Sequence, residues 1–248
     1  MSRAWVILKR AGKLLKFLVI CVIITLIVLL IWRVFSTGTP DGLEDLSPNA
    51  KLKSAYADAL KKDKELYVFR QEYDTISGGS AEGYFVVPEA KFIPDANQVQ
   101  IVFRYNNGTI KSLAKDYKLE SVPEKEQELF DVSLVLYVGE LPEDKNADIL
   151  KDNENFEAIR IKPDKNVMRE DTSLYSFFRY TFDLDSAEGA SLNKLLKEKK
   201  LIAVHVQIYY NEDVDYTKTP YGAICVYDYR HINKTVELSD DEKEALES

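Results

Sequence analysis

The chain has 248 residues, with 33 Lys or Arg against 41 Asp or Glu, a net charge of −8, and only two Cys and two His. An acidic surface without a basic stripe repels a polyanion, so nucleic acid is excluded as a partner. So few thiols and imidazoles also exclude a disulfide framework and a zinc centre.

In chain order, the first feature is an apolar run from Leu14 to Phe35, broken only by Lys16, Thr25 and Arg33. As a helix it reaches about 33 Å, enough to cross a hydrocarbon core of about 30 Å. Arg3, Lys9, Arg10, Lys13 and Lys16 precede or open it, and the first carboxylate is Asp41. Positive flanks stay inside, so residues 1–13 are expected in the cytoplasm and everything after Phe35 outside. A cleaved signal peptide shares the basic start, but its apolar core is shorter than the uninterrupted stretch from Phe17 to Trp32. A lipoprotein leader ending at Cys21 fails because bulky Ile20 precedes the cysteine and the run continues past it. The expectation is an uncleaved single-pass anchor over residues 14–35, with the bilayer as its partner.

Removing residues 1–35 takes away six basic residues and no acidic one, so the remaining 213 residues carry a net charge of −14. Cys225 is the only thiol among them, so no intrachain disulfide can form there. A large disulfide-free outer domain fits a bacterial cell surface better than a secreted eukaryotic one. The sequons at Asn107 and Asn233 occur at chance frequency and do not reverse this.

Residues 36–47 read as a linker, because Gly38, Pro40 and Gly42 interrupt any helix. Ser47-Pro48 is expected to cap an amphipathic helix over residues 48–63, with Leu52, Ala55, Tyr56, Ala59 and Leu60 on one face. From Leu66 the period changes to two. Strands are expected at Leu66–Tyr73, Tyr84–Val87, Val99–Tyr105 and Asp131–Gly139, then at Glu157–Lys162, Leu174–Leu184, Leu201–Tyr210 and Ile224–Tyr229. Val99, Ile101, Phe103 and Tyr105 should face inward, with Gln100 and Arg104 opposite. The inward sets of two later strands are Leu174, Phe178, Tyr180, Phe182 and Leu184, then Ile202, Val204, Val206 and Ile208. Asn106-Asn107-Gly108 reads as a hairpin turn. One short helix is expected around Ser191–Lys199. Residues 231–248 form an acidic tail whose end, from Ser239, reads as a frayed helix with a capping box to Glu242. The expected fold is mainly β: an antiparallel sandwich over residues 66–230, with one short helix before it and one inserted.

No chemical signature stands out, and no pattern of residues identifies a family. Asp144, Asn146 and Asp148 have calcium-loop spacing, but Ile149 replaces the turn glycine and Asn155 the bidentate Glu. His205 and His231 lack ligand spacing, and Cys225 lies in an apolar strand where a thiol is inert. No catalytic, cofactor or metal residue is expected. The segment richest in recognition chemistry is Tyr209 to Tyr229. There Tyr209, Tyr216, Tyr221, Tyr227 and Tyr229 are candidate partner-binding residues, since tyrosine joins rigid apolar area to a polar tip. The expected function is a non-catalytic binding or assembly module of the bacterial cell envelope, meeting another envelope protein. The alternatives are a glycan hydrolase using paired carboxylates and a glycan-binding module with exposed tyrosine rings.

Overall fold

A computed structural model describes residues 3–40, 42–71, 84–124, 129–142, 156–165, 167–172 and 174–248, without the side chains of residues 3–14 and 33–37. The calcium-like loop 144–148 and the end of the first expected strand lie outside these residues. Two compact units result, residues 1–38 and 39–248. The first is one helix, α1 (Arg3–Thr37). Its segment Leu15–Trp32 is long and apolar enough to cross a membrane, and its large side chains are exposed along the whole length.

The second unit is mainly β, with two antiparallel sheets. Its elements are α2 (Ala50–Lys61), β1 (Phe69–Arg70), β2 (Phe85–Ile93), β3 (Gln98–Asn106), α3 (Asn107–Asp116), β4 (Phe130–Gly139) and β5 (Phe156–Ile161). They continue as β6 (Met168–Asp171), β7 (Tyr175–Asp183), α4 (Leu192–Lys197), β8 (Leu201–Tyr210), β9 (Gly222–Asp228), β10 (Lys234–Thr235) and α5 (Asp240–Glu247). One sheet runs β10-β1-β2-β3-β7-β6 and the other β5-β4-β8-β9. Their inward residues form a common core. Phe92, Phe103 and Phe182 of the first sheet join Leu134, Val206 and Ile224 of the second. Phe85 meets Phe130 across the sheets edge-on at 4.9 Å, and Gly222 lets β9 pass beneath Phe85, where a Cβ would come within 2.9 Å of the ring.

The inward sets of β3 and β7 lie in this core, except Leu174, which is half-buried and outside it. In β8 the alternation slips. The register with β4 shifts between Tyr137 and Val138, so Ile202 leaves the common core for a cluster with Val135 and Tyr137. A bulge adds one residue and turns the rest of the strand to the opposite face, which a strict period of two cannot anticipate. β2 continues past Val87 through Pro88 because the register shifts between Val86 and Glu89, which spares the missing N–H a ladder position.

Asn106-Asn107-Gly108 does not turn a hairpin. Asn106 caps α3 in a reciprocal capping box with Thr109, and Ile110, Leu113 and Ala114 bury the helix face. A Cβ at Gly108 would lie 2.9 Å from the Asn106 side-chain oxygen, so a larger residue there would press on the cap. The α2 cap is Asn49 instead of Ser47, its side chain accepting from the Leu52 amide at 2.9 Å. Leu52, Tyr56 and Ala59 are buried as the spacing predicts, whereas Leu60 faces out. β6 and β10 are short, exposed edge strands without apolar alternation. The tail helix α5 has the capping box but is docked, with Leu246 packed among Leu46, Leu52 and Tyr56.

The core sets a stability test. Phe103 is fully buried, whereas Ile232 is 87% exposed. Phe103→Ala should lower the unfolding free energy by about 3–5 kcal/mol, and Ile232→Ala by less than about 0.5 kcal/mol, in urea titrations of the same protein.

Candidate functional site

Inward alternation of aromatic residues on β3 and β7 places Phe103, Tyr105, Phe178 and Tyr180 along one side of a gap between the sheets. Tyr105 stacks on Phe178 at 5.6 Å, Phe178 on Tyr180 at 5.8 Å, and Phe130 of β4 meets Tyr105 edge-on at 5.0 Å. The gap is a cleft of about 490 Å³, within the ordinary range for a binding site. Asp131, Asp164, Lys165 and Arg169 line it beside these rings. Arg169 lies over the Phe178 ring at 5.5 Å and pairs with Asp171 at 2.8 Å, so its planar cation borders the cleft in a fixed pose. The Asp164 amide donates to the Thr181 carbonyl at 2.7 Å, fastening the β5–β6 connection to β7. Partial burial and the nearby Asp183 carboxylate raise the Asp164 pKa, while Lys51 opposes the shift.

Beside this cleft stands a polar node that contains one of the candidate tyrosines. Lys162 Nζ lies 2.5 Å from both Asp131 carboxylate oxygens. Lys162 also donates to the Tyr216 hydroxyl, which donates to Asp131. The Arg160 guanidinium covers the Tyr216 ring at 4.3 Å and donates to Gln207 at 2.7 Å. Tyr209 meets Tyr216 edge-on at 5.2 Å and 88°. Asp131 therefore belongs to both the node and the cleft wall.

The structure brings Tyr209 and Tyr216 together but places the other candidates elsewhere. Tyr216 is 41% exposed, whereas Tyr209, Tyr221 and Tyr227 are buried and Tyr229 is half-buried. Tyr221 donates to Asp116 at 3.0 Å and stacks with Phe130. Burial and the Asp116 carboxylate hold its hydroxyl protonated. Tyr227 packs beside Phe69 and Phe92, and burial with Asp228 pushes its pKa up to about 12. Burial of these rings weighs against a flat glycan platform. Phe130, Asp131, Asp164 and Arg169 were not apparent from the sequence because they converge from separate strands and connections. The paired aromatics Phe103/Tyr105 and Phe178/Tyr180 were the available signal.

On the second sheet His205 faces Cys225 across the β8–β9 ladder. Burial pushes the thiol up to about 12, with Asp228 adding to the shift, and Cys225 Sγ donates to the Tyr227 carbonyl at 3.3 Å. An activated nucleophile needs the opposite, a thiolate beside an imidazolium. Among the described residues, no group of three or more His, Cys, Asp or Glu is arranged to hold a metal ion. No family model, curated protein or solved structure matches the chain.

Burial lowers the His205 pKa to about 4, although Asp228 pulls it upward. An unfolded imidazole takes up a proton below about pH 6.5, which the folded one resists down to about pH 4. Stability from this group is therefore complete above about pH 6.5 and is lost as the pH falls toward 4, by about 3 kcal/mol in all. His205→Gln should flatten the stability curve between about pH 6.5 and 5, above the range where most carboxylates titrate. Denaturant titrations of both proteins across that range check this.

Proposed function

We propose that the chain is a single-pass membrane protein of the bacterial cell envelope, with its N-terminus in the cytoplasm and residues 39–248 outside as a β-sandwich binding or assembly module. The observation that carries this reading is the exposed apolar segment Leu15–Trp32, preceded by four basic residues and no acidic one and joined to a compact acidic unit. The partner site is the aromatic cleft together with the Asp131–Lys162–Tyr216 node. It joins a cleft walled by buried aromatic rings to the exposed Tyr216 held under Arg160, and Tyr and Arg are enriched at protein recognition sites. The partner is another envelope protein, and the module performs no chemistry.

A glycan hydrolase is the second reading, favoured by Asp131 and Asp164 lining one cleft. Against it, Asp131 is already committed to Lys162 and Tyr216.

Two measurements test the proposal. A membrane-impermeant thiol reagent applied to intact cells should label Glu188→Cys, at an exposed loop position; absence of labelling contradicts the orientation. A photo-cross-linker at Lys165 should give a discrete protein adduct that is lost with Asp131→Ala and Tyr216→Ala. No adduct, or one unchanged by those substitutions, rejects the cleft as the partner site. Release of reducing sugar from envelope glycan, abolished by Asp164→Asn, would favour the hydrolase.

A further inference from the structure

The outer face of the larger sheet carries Lys91, Gln98, Gln100 and Arg179, all buried. Such groups are stable in the interior only when their hydrogen bonds are satisfied. Here most of the partners are main-chain atoms of residues 42–47. Arg179 donates to the Gly42 and Asp45 carbonyls at 2.7 Å each, and Lys91 to the Glu44 carbonyl at 2.5 Å. Gln100 accepts from the Ser47 amide at 2.7 Å and donates to its carbonyl at 3.2 Å. Glu242 of α5 accepts from the Leu46 amide at 2.8 Å and from Lys91 at 3.3 Å. Between these bonds Leu43 packs on Val102 and Phe177, and Leu46 on Leu52 and Leu246. Residues 42–47, a few positions beyond the apolar helix, thus form a strap bonded to the outer face of the sheet.

We infer that this strap, locked by Glu242, keeps the outer unit at the membrane surface, so that its partner is a protein located at that same surface and not a distant wall polymer. The inference rests on the membrane-anchor reading. Its geometry is set by the chain itself. Five Cα steps separate Thr37, the last residue of α1, from Gly42, the first bonded strap residue, a reach of at most about 18 Å. A bond of 3.1 Å from the Leu43 amide to the Pro40 carbonyl shortens this further. Without the strap, free chain would extend to Asn49 and the reach would rise to about 43 Å. Tether length sets which sites the cleft can engage, since a short tether confines it to a thin layer where its effective concentration toward surface partners is high.

The full-length protein, reconstituted in phosphatidylcholine vesicles containing a headgroup acceptor dye, tests this. A donor dye is placed on Glu188→Cys in a Cys21→Ala, Cys225→Ala background. Flotation comes first, and a protein that does not float with the vesicles overturns both the anchor and the strap readings. For a floating protein, energy transfer should fall when a flexible Gly-Ser linker of about 24 residues is inserted after Gly38. It should fall toward the same value with Arg179→Ala plus Glu242→Ala. The insertion leaves the outer unit intact, so it reads tether length even where the double substitution unfolds the protein. Equal transfer in the parent and linker-inserted proteins overturns the inference while leaving the anchor standing.

Discussion

Buried polar side chains on the outer face of a β-sheet impose the constraint on which the unit depends. An unsatisfied buried donor or acceptor costs about 1–3 kcal/mol, more if charged, so a row containing Arg179, Lys91, Gln98 and Gln100 cannot be covered by apolar packing alone. The chain covers it with its own backbone from Gly42 to Ser47, with Asn49, whose side chain pairs with Gln98 at 3.1 Å, and with Glu242 from the other end of the sequence. The central strands of the larger sheet thereby pack on the shared core on one face and carry the strap on the other. The C-terminal helix is docked for the same reason: it supplies the carboxylate that the Leu46 amide and Lys91 require.

The cleft lies on the core side of the larger sheet, and the node stands beside it at Asp131 of β4 in the smaller sheet. Aromatic pairs on β3 and β7 line the cleft, the β5–β6 connection brings Asp164 and Lys165 to it, and β6 brings Arg169. Asp131, Lys162 and Tyr216 form a charge-assisted network, and the Tyr216 ring is clamped under Arg160, so the exposed tyrosine is held in one orientation. Preorganisation of this kind favours binding, because little side-chain freedom is lost on association. Burial keeps His205 and Cys225 of the second sheet neutral near pH 7.

Much of the architecture was legible in the residues. The alternation Val99-Ile101-Phe103-Tyr105 is a local property, as is the apolar spacing of Leu52, Tyr56 and Ala59, and both appear where expected. What was not legible depends on partners distant in sequence. Gln100 reads as a solvent-facing residue because nothing nearby announces that Ser47, 53 positions away, will meet it. The bulge at Ile202 shifts a face without changing composition, and Asn106-Asn107-Gly108 serves a helix start as readily as a hairpin until Ile110, Leu113 and Ala114 find a core to cover. The candidate site was half legible. Tyr216 and its neighbour Tyr209 stand in it, but the ring surfaces of Tyr221 and Tyr227 are used up in packing, and the cleft residues converge only in the folded chain.

Whether residues 42–47 are part of the folded unit is the central question, and native-state hydrogen exchange reads this directly. The Leu46 and Ser47 amides should be protected with opening free energies close to those of β3 amides such as Phe103, because breaking their bonds leaves Glu242 and Gln100 unsatisfied in the interior. Exchange of these two amides as fast as at the exposed Ile232 would show that the strap is an ordinary linker and would contradict the account.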